Sequence, residues 1–172
     1  MTQKPSTFVS GIEIRPSGYV PGAIGRITEL HATYYKQHWD FDLFFESKVA
    51  RELSEFLNRF NSVHDGFWLA TIGEKIVGAV ASDGSEAKTS GARLRWFIVD
   101  PEYQGRGVGQ KLLNEAVTFC RRTNTRRVYL HSFAGLDVAR HVYEKFGFVL
   151  CEEKQDKTWG KLVTEQTFEL LL

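Results

Sequence analysis

A chain of 172 residues, 42% of them apolar, fits one domain around a single core, and its net charge of +1 gives no electrostatic footing for a nucleic-acid or membrane-surface partner. Cys120 and Cys151 stand apart from each other and from any Cys-His cluster of metal-binding spacing, so two reduced thiols and no metal are expected. Met1 to Ser10 lack an apolar signal core and no stretch approaches the roughly 20 apolar residues of a membrane span, which leaves a soluble cytoplasmic protein as the expectation.

Residues 1–10 read as a frayed start, followed by a short strand at Ile12 to Arg15 that Pro16-Ser17-Gly18 stops. Pro21 suits the first turn of a helix whose Ile24, Ile27, Leu30, His31 and Tyr34 share a face up to about Trp39. Asp40 or Asp42 then caps a second helix with a stripe of Phe45, Val49, Leu53, Phe56 and Phe60, a pattern that belongs to a core. Phe67–Ile72 and Lys75–Ala81, joined by Gly73-Glu74, form an antiparallel hairpin, and the polar run 82–91 is an exposed loop. An apolar strand at 94–99 passes through Asp100-Pro101 and a glycine turn into a helix, whose Val108, Leu112, Ala116 and Cys120 repeat at helical spacing. Arg126 to His131 is a further strand, parallel to the one before it, since a strand, a helix and a strand follow in order. A helix at 137–146 stopped by Gly147 and a closing antiparallel hairpin complete the chain. The fold class is α/β, a single domain with a mixed central sheet of about seven strands and about four helices.

Gln104-Gly105-Arg106-Gly107-Val108-Gly109, between strand and helix, is the stretch around which the rest is organised. Glycines let several amide N–H groups turn toward one anion, and the helix adds its unpaired N–H groups and the positive end of its dipole. A dinucleotide fingerprint loses its register here, because Gln110 stands where the third glycine belongs. A phosphate loop of the nucleotide-hydrolase kind is missing its Lys-Ser/Thr pair. What remains, Gln-x-x-Gly-x-Gly after a strand ending Val-Asp-Pro, resembles the pyrophosphate loop of the GCN5-related N-acetyltransferase (GNAT) family, which binds acetyl-coenzyme A. The plainer reading of three glycines is a tight connection.

Ala139-Arg140-His141-Val142-Tyr143-Glu144-Lys145-Phe146-Gly147-Phe148 resembles the same family's other recurrent stretch, in which Ala, Tyr and Gly-Phe close the last helix over the coenzyme thiol. The family often carries Asn seven residues before that tyrosine, where this chain has Leu136. His31 to Phe60, Trp159 to Val163 and Thr167 to Leu170 resemble the acetyltransferase half of bacterial proteins that fuse it to a MarR-type DNA-binding domain, and relatives of that kind share the leucine. No winged-helix region stands before it in this sequence.

The resemblance implies acetyl transfer from acetyl-coenzyme A (acetyl-CoA) to an amine. Backbone N–H groups at Ile98 or Val99 would take the first ligand contacts, and Gln104, Gly105, Arg106, Gly107, Val108 and Gly109 the pyrophosphate. Tyr143 is the candidate general acid: a phenol of pKa about 10 is protonated at pH 7 and can donate to a thiolate whose conjugate acid lies near 8 to 9. Its spacing alone fits a packed core aromatic as well. No base is nominated among Glu46, Asp40, His31, His38 and His131, and a water chain is the alternative. Arg93 and Arg95 are two apart on the central strand, so period-two geometry puts them on one face together with Phe97 and Val99. There they would hold an anionic group of an amino-acid-like acceptor, unless carboxylates of neighbouring elements hold them instead. The expected partner is a small-molecule amine acceptor, with a homodimer as often seen in the family. A non-catalytic acetyl-CoA sensor or interaction module is the competing reading.

Overall fold

The structure is a computed structural model that describes residues 11–172, so the expected frayed start at 1–10 lies outside the described residues. In chain order the elements are β1 (Ile12–Pro16), α1 (Ala23–Trp39), α2 (Leu43–Asn58), β2 (Gly66–Ile72), β3 (Lys75–Asp83), β4 (Ala92–Val99), α3 (Val108–Arg122), β5 (Arg127–Phe133), α4 (Asp137–Lys145), β6 (Val149–Asp156) and β7 (Val163–Leu171). A single 3-10 turn, Pro101–Tyr103, follows β4. The seven strands form one sheet in the order β1-β2-β3-β4-β5-β7-β6. Only β4 and β5 pair in parallel. Pro21 falls short of the expected position: α1 begins at Ala23, after Gly22 in a left-handed conformation. Asp42 does occupy the N-cap of α2, but its carboxylate bonds Lys36 at 2.6 Å and leaves the helix N–H groups uncapped.

The helices cover both faces of the sheet. On one face α1 and α2 bury Ile27, Leu30, Phe45, Val49, Leu53 and Phe56 against Phe67, Leu69, Ala79, Trp96 and Ile98. On the other, α3 sets Val108, Leu112, Leu113, Ala116 and Val117 on Trp68, Val80, Leu94 and Val128, and α4 adds Tyr143. Each large side chain buried in this way contributes about 1.5–3 kcal/mol. The apolar stripe of each helix is the side that it turns to the sheet.

β4 has a fault in it. Ala79 pairs with Ile98 and Ala81 with Arg95, so Trp96 and Phe97 together stand opposite the single residue Val80. Trp96 has φ of 48°, a conformation that bulky residues rarely adopt, and it is held there by packing on Phe56, at 5.4 Å between ring centroids, and under the Arg95 guanidinium. A bulge of one residue reverses the faces of everything after it. Ahead of it the even-numbered Ala92 and Leu94 face α3, whereas beyond it Phe97 and Val99 pack on that side and Trp96 and Ile98 face α1 and α2. The expected common face of Arg93, Arg95, Phe97 and Val99 is therefore wrong: the arginines lie on the α1–α2 side, and Phe97 and Val99 on the α3 side.

Candidate active site

β4 and β5 pair only from Ala92–Val128 to Leu94–Leu130 and then part. The gap opens a cleft of about 600 Å3 that runs through the sheet, from the turn before α3 at one end to the α1–α2 face at the other. Ile98, Val99, Gln104, Gly105, Gly107, Val108, Gly109 and Tyr143 all line it, as do Arg93 and Arg95. The sequence-based candidates thus meet in one cavity, with one exception. Arg106 lies outside its lining, with its guanidinium over the Tyr103 ring at 5.4 Å and its side chain bordering a shallower groove with Lys111 and Asn114.

At the α3 end the backbone supplies the chemistry. Gly107 caps the helix at φ 80°, in the left-handed region where a side chain is strained, and no side chain bonds the first N–H groups of α3. The N-terminal N–H groups of a helix have no partner within it, so those of Val108, Gly109 and Gln110 remain available beside the cleft. Gly109 is a glycine for a different reason, since a Cβ there would stand 3.1 Å from the Phe97 ring. Gln104 ties the turn to the strand by donating to the Val99 carbonyl at 3.0 Å. Asp100 accepts the Glu102 N–H at 3.1 Å and pairs with Arg26 of α1 at 2.6 Å, which fixes where the turn begins. These groups fit a phosphorylated ligand whose thioester arm enters the gap between the strands.

Mid-cleft, Tyr143 is buried, its ring set 5.8 Å from those of both Phe97 and Phe168. Burial pushes its phenol up from the ordinary value, so it holds its proton. Tyr35 of α1 faces the same cavity, and burial, with Tyr143 nearby, pushes its phenol up as well.

At the α1–α2 end charged side chains take over. Arg95 pairs with Glu52 of α2 and reaches Asp83 at 3.7 Å, while Lys48, one turn before Glu52, pairs with the same carboxylate. Burial works against the Glu52 charge, but Lys48 and Arg95 outweigh it and hold the carboxyl below its usual range. Arg95 accordingly has internal carboxylate partners, which makes it part of the scaffold. Arg93 differs. Its Nε–H is buried without a hydrogen-bond partner, and no carboxylate among the described residues pairs with it. An unpaired buried donor costs about 1–3 kcal/mol. His131 stands on the same face of β5, its Nδ1 3.0 Å from the Thr167 hydroxyl and 3.6 Å from the buried Glu165 carboxylate. Burial first, then Arg93 and Lys154, lower His131 to about 4 and keep it neutral at pH 7. His31 is likewise buried and lowered to about 4, its Nδ1 bonded to the Ile27 carbonyl at 2.8 Å. Leu136 occupies the N-cap of α4 and lines the cleft without offering a side-chain hydrogen bond.

Several lining residues were given no chemical role by the sequence reading. Lys48 and Glu52 carried a legible signal, since opposite charges four apart share a helix face. Tyr35, Phe133 and Trp159 had none: Trp159 reaches the cleft from the β6–β7 connection, where its Nε1–H donates to Glu165 at 2.7 Å.

Residues 26–148 match the model of the acetyltransferase (GNAT) family. An uncharacterized N-acetyltransferase of Methanocaldococcus jannaschii is 31% identical over 137 residues, 76% of this chain and 58% of that protein. The N-acetylaspartate synthetase of Danio rerio is 30% identical over 92 residues, 54% of this chain and 32% of that protein. The chain therefore spans less than two thirds of the length of either relative. Among solved structures, a GNAT family acetyltransferase from Elizabethkingia anophelis with acetyl-CoA bound superposes with a TM-score of 0.68 at 14% identity, over 95% of this chain and 99% of that one. Its likeness is one of fold. Among the described residues no cluster of three His, Cys, Asp or Glu could hold a metal ion, and no helix is long and apolar enough to cross a membrane.

Proposed function

Because the chain belongs to the GNAT acetyltransferase family, we propose that it moves an acetyl group from acetyl-CoA to the amine of a small, amino-acid-like acceptor, by direct transfer within the cleft. The observation that carries this reading is the parting of β4 and β5 beyond Leu94, with the free N–H groups of α3 at one end of the gap and the charged α1–α2 end at the other. A ligand in that gap would find the Val99 N–H, which points to the β5 side where no strand pairs with it, whereas the Ile98 N–H faces its partner Ala79 on β3. Gly105, Gly107, Val108 and Gly109 would hold its pyrophosphate through the backbone, with Gln104 keeping the turn in place. Arg106 would act from outside the lining, as a long-range charge.

Acetyl transfer from a thioester needs a neutral amine and a proton for the departing thiolate. Tyr143 supplies that proton, and the one that the amine nitrogen gives up as the amide forms restores the phenol by way of solvent. Burial raises its pKa, so the donor stays protonated across the physiological range, and the ring packing fixes the direction of its hydroxyl. Neutral His131, at the acceptor end, can receive a hydrogen bond from the incoming amine at Nε2 when its Nδ1–H donates to the Thr167 hydroxyl. An amino-acid acceptor is supported by the name of the Danio rerio relative. We propose as well a finer likeness to the acetyltransferase half of MarR-type fusion proteins, on the strength of His31 to Phe60, Trp159 to Val163 and Thr167 to Leu170. The free edge of β6, exposed along nearly its whole length, supports pairing of two copies there.

The test is release of coenzyme A from acetyl-CoA across a library of primary amines. Turnover with at least one amine, above the rate without acceptor, is the expected result. Binding of acetyl-CoA with no turnover on any amine would make the protein a coenzyme-binding sensor instead.

A further inference from the structure

We infer that Arg93 is the acceptor-binding residue that sets substrate class, and that it takes a carboxylate carried by the amine substrate. This inference rests on the N-acetyltransferase reading above and adds the class of acceptor to it. Two arginines sit side by side on the α1–α2 face of β4, and the structure treats them differently. Arg95 is enclosed by Glu52 and Asp83 and stacked on Trp96, its guanidinium 4.1 Å from the ring centroid. Arg93 has a buried Nε–H with nothing to bond, and lines the same cleft with no carboxylate partner. Residues 1–10 contain neither Asp nor Glu, so no carboxylate side chain from that stretch can answer it.

The position is as informative as the missing partner. Leu94 is the last residue of β4 to pair with β5, so Arg93 sits just before the strands part. Its register partners are Asp83 on β3, whose carboxylate pairs with Arg59 and Arg95, and Tyr129 on β5, where His131 follows two residues on along the same face. A guanidinium at the mouth of the gap can hold one end of a molecule whose other end reaches the thioester side. The remaining cations at this end are answered: Lys48 and Arg95 by Glu52, and Arg95 again by Asp83. One unanswered planar cation calls for one planar monoanion, and the fork of a guanidinium matches a carboxylate through two parallel N–H bonds. The bulge at Trp96 strengthens the assignment by placing Arg93 on the α1–α2 face, away from Phe97, Val99 and the α3 end where the pyrophosphate belongs.

The experiment measures kcat and KM for matched pairs of acceptors: glycine, β-alanine and γ-aminobutyrate, a set of α-amino acids, and the amide of each. The parent, Arg93→Met and Arg93→Lys are compared, with acetyl-CoA affinity measured alongside as a check on folding. The parent is expected to favour the carboxylate member of its preferred pair by about 10- to 100-fold in kcat/KM. Arg93→Met should bring that ratio to near one, chiefly through KM, while binding acetyl-CoA as the parent does. Arg93→Lys, which keeps the charge but not the fork, should retain part of the preference, and decides the matter should Arg93→Met fail to fold. The carbon chain of the preferred pair tells an α-carboxylate from a more distant one. Equal use of carboxylates and amides by the parent, or an unaltered ratio in a folded variant, overturns the inference and leaves the transferase reading intact. Acetyl-CoA binding without turnover on any amine overturns the transferase reading, and this inference with it.

Discussion

The two ends of the cleft are made of different materials. At the α3 end the ligand would meet backbone: left-handed glycine at Gly107, a glycine under Phe97 at Gly109, and helix N–H groups that no side chain caps. At the α1–α2 end it would meet side chains from α2, β4, β5 and the β6–β7 connection, namely Lys48, Glu52, Arg93, Arg95, His131 and Trp159. Backbone donors recognise what every acetyl-CoA molecule shares, and they leave few substitutions open. Side chains can be exchanged one at a time without moving the strands, so the second end is where related chains can diverge in acceptor. Trp96 is the joint between the two, because the bulge there turns the faces of β4 over.

The contrast can be sharpened first at Tyr143, between the two ends. Tyr143→Phe keeps the ring packed against Phe97 and Phe168 and removes only the proton donor. Turnover should fall about 100- to 10,000-fold, with coenzyme affinity little changed. Equal turnover in the variant, measured where chemistry limits the rate, would make Tyr143 a packing residue only.

A smaller effect is expected at Arg95. If its role is scaffold, Arg95→Met should lower stability by about 1–3 kcal/mol, because Glu52 and Asp83 lose a charged donor while Lys48 still neutralises part of the loss. Denaturant unfolding reads this directly. A variant as stable as the parent but with altered acceptor preference would shift Arg95 from the frame to the recognition end.

The smallest effect concerns pH. His31 is lowered to about 4 in the folded protein, chiefly by burial, against about 6.5 when unfolded. Between those values the unfolded chain binds the extra proton, so stability rises with pH through the window and is lost on acidification. From pH 7 to 5.5 the loss due to His31 is on the order of 1 kcal/mol. His31→Gln should flatten this part of the stability curve; a curve of the same slope in the variant would remove His31 from the balance.

The difference between the ends also explains what could be read in the sequence. The α3 end comes from one continuous stretch, so local patterning singled out Gln104, Gly105, Gly107, Val108 and Gly109, which the fold sets beside the cleft. The sheet and helix order was equally legible, since alternation and 3.6-residue periodicity are local signals. Arg93 and Arg95 were found by their spacing, but the face shared with Phe97 and Val99 was not, because strict alternation has no sign for a bulge that tertiary packing imposes at Trp96. The place of Trp159 in the cleft was illegible for a related reason. It reaches the acceptor end only after β7 inserts between β5 and β6, a pairing that no neighbouring residues announce. Arg106 differs from its neighbours in the motif, since its side chain lies over the Tyr103 ring and borders the adjoining groove.

The central claim is that acetyl-CoA occupies the gap between β4 and β5 with its pyrophosphate on the turn before α3. Calorimetric titration of acetyl-CoA into the parent and into Gly107→Val tests it most directly, because at φ 80° a β-branched residue cannot keep the turn that presents the α3 N–H groups. The expected result is saturable one-to-one binding by the parent and no measurable binding by a variant whose circular dichroism and unfolding transition show it folded. Unchanged affinity in that folded variant would contradict the claim.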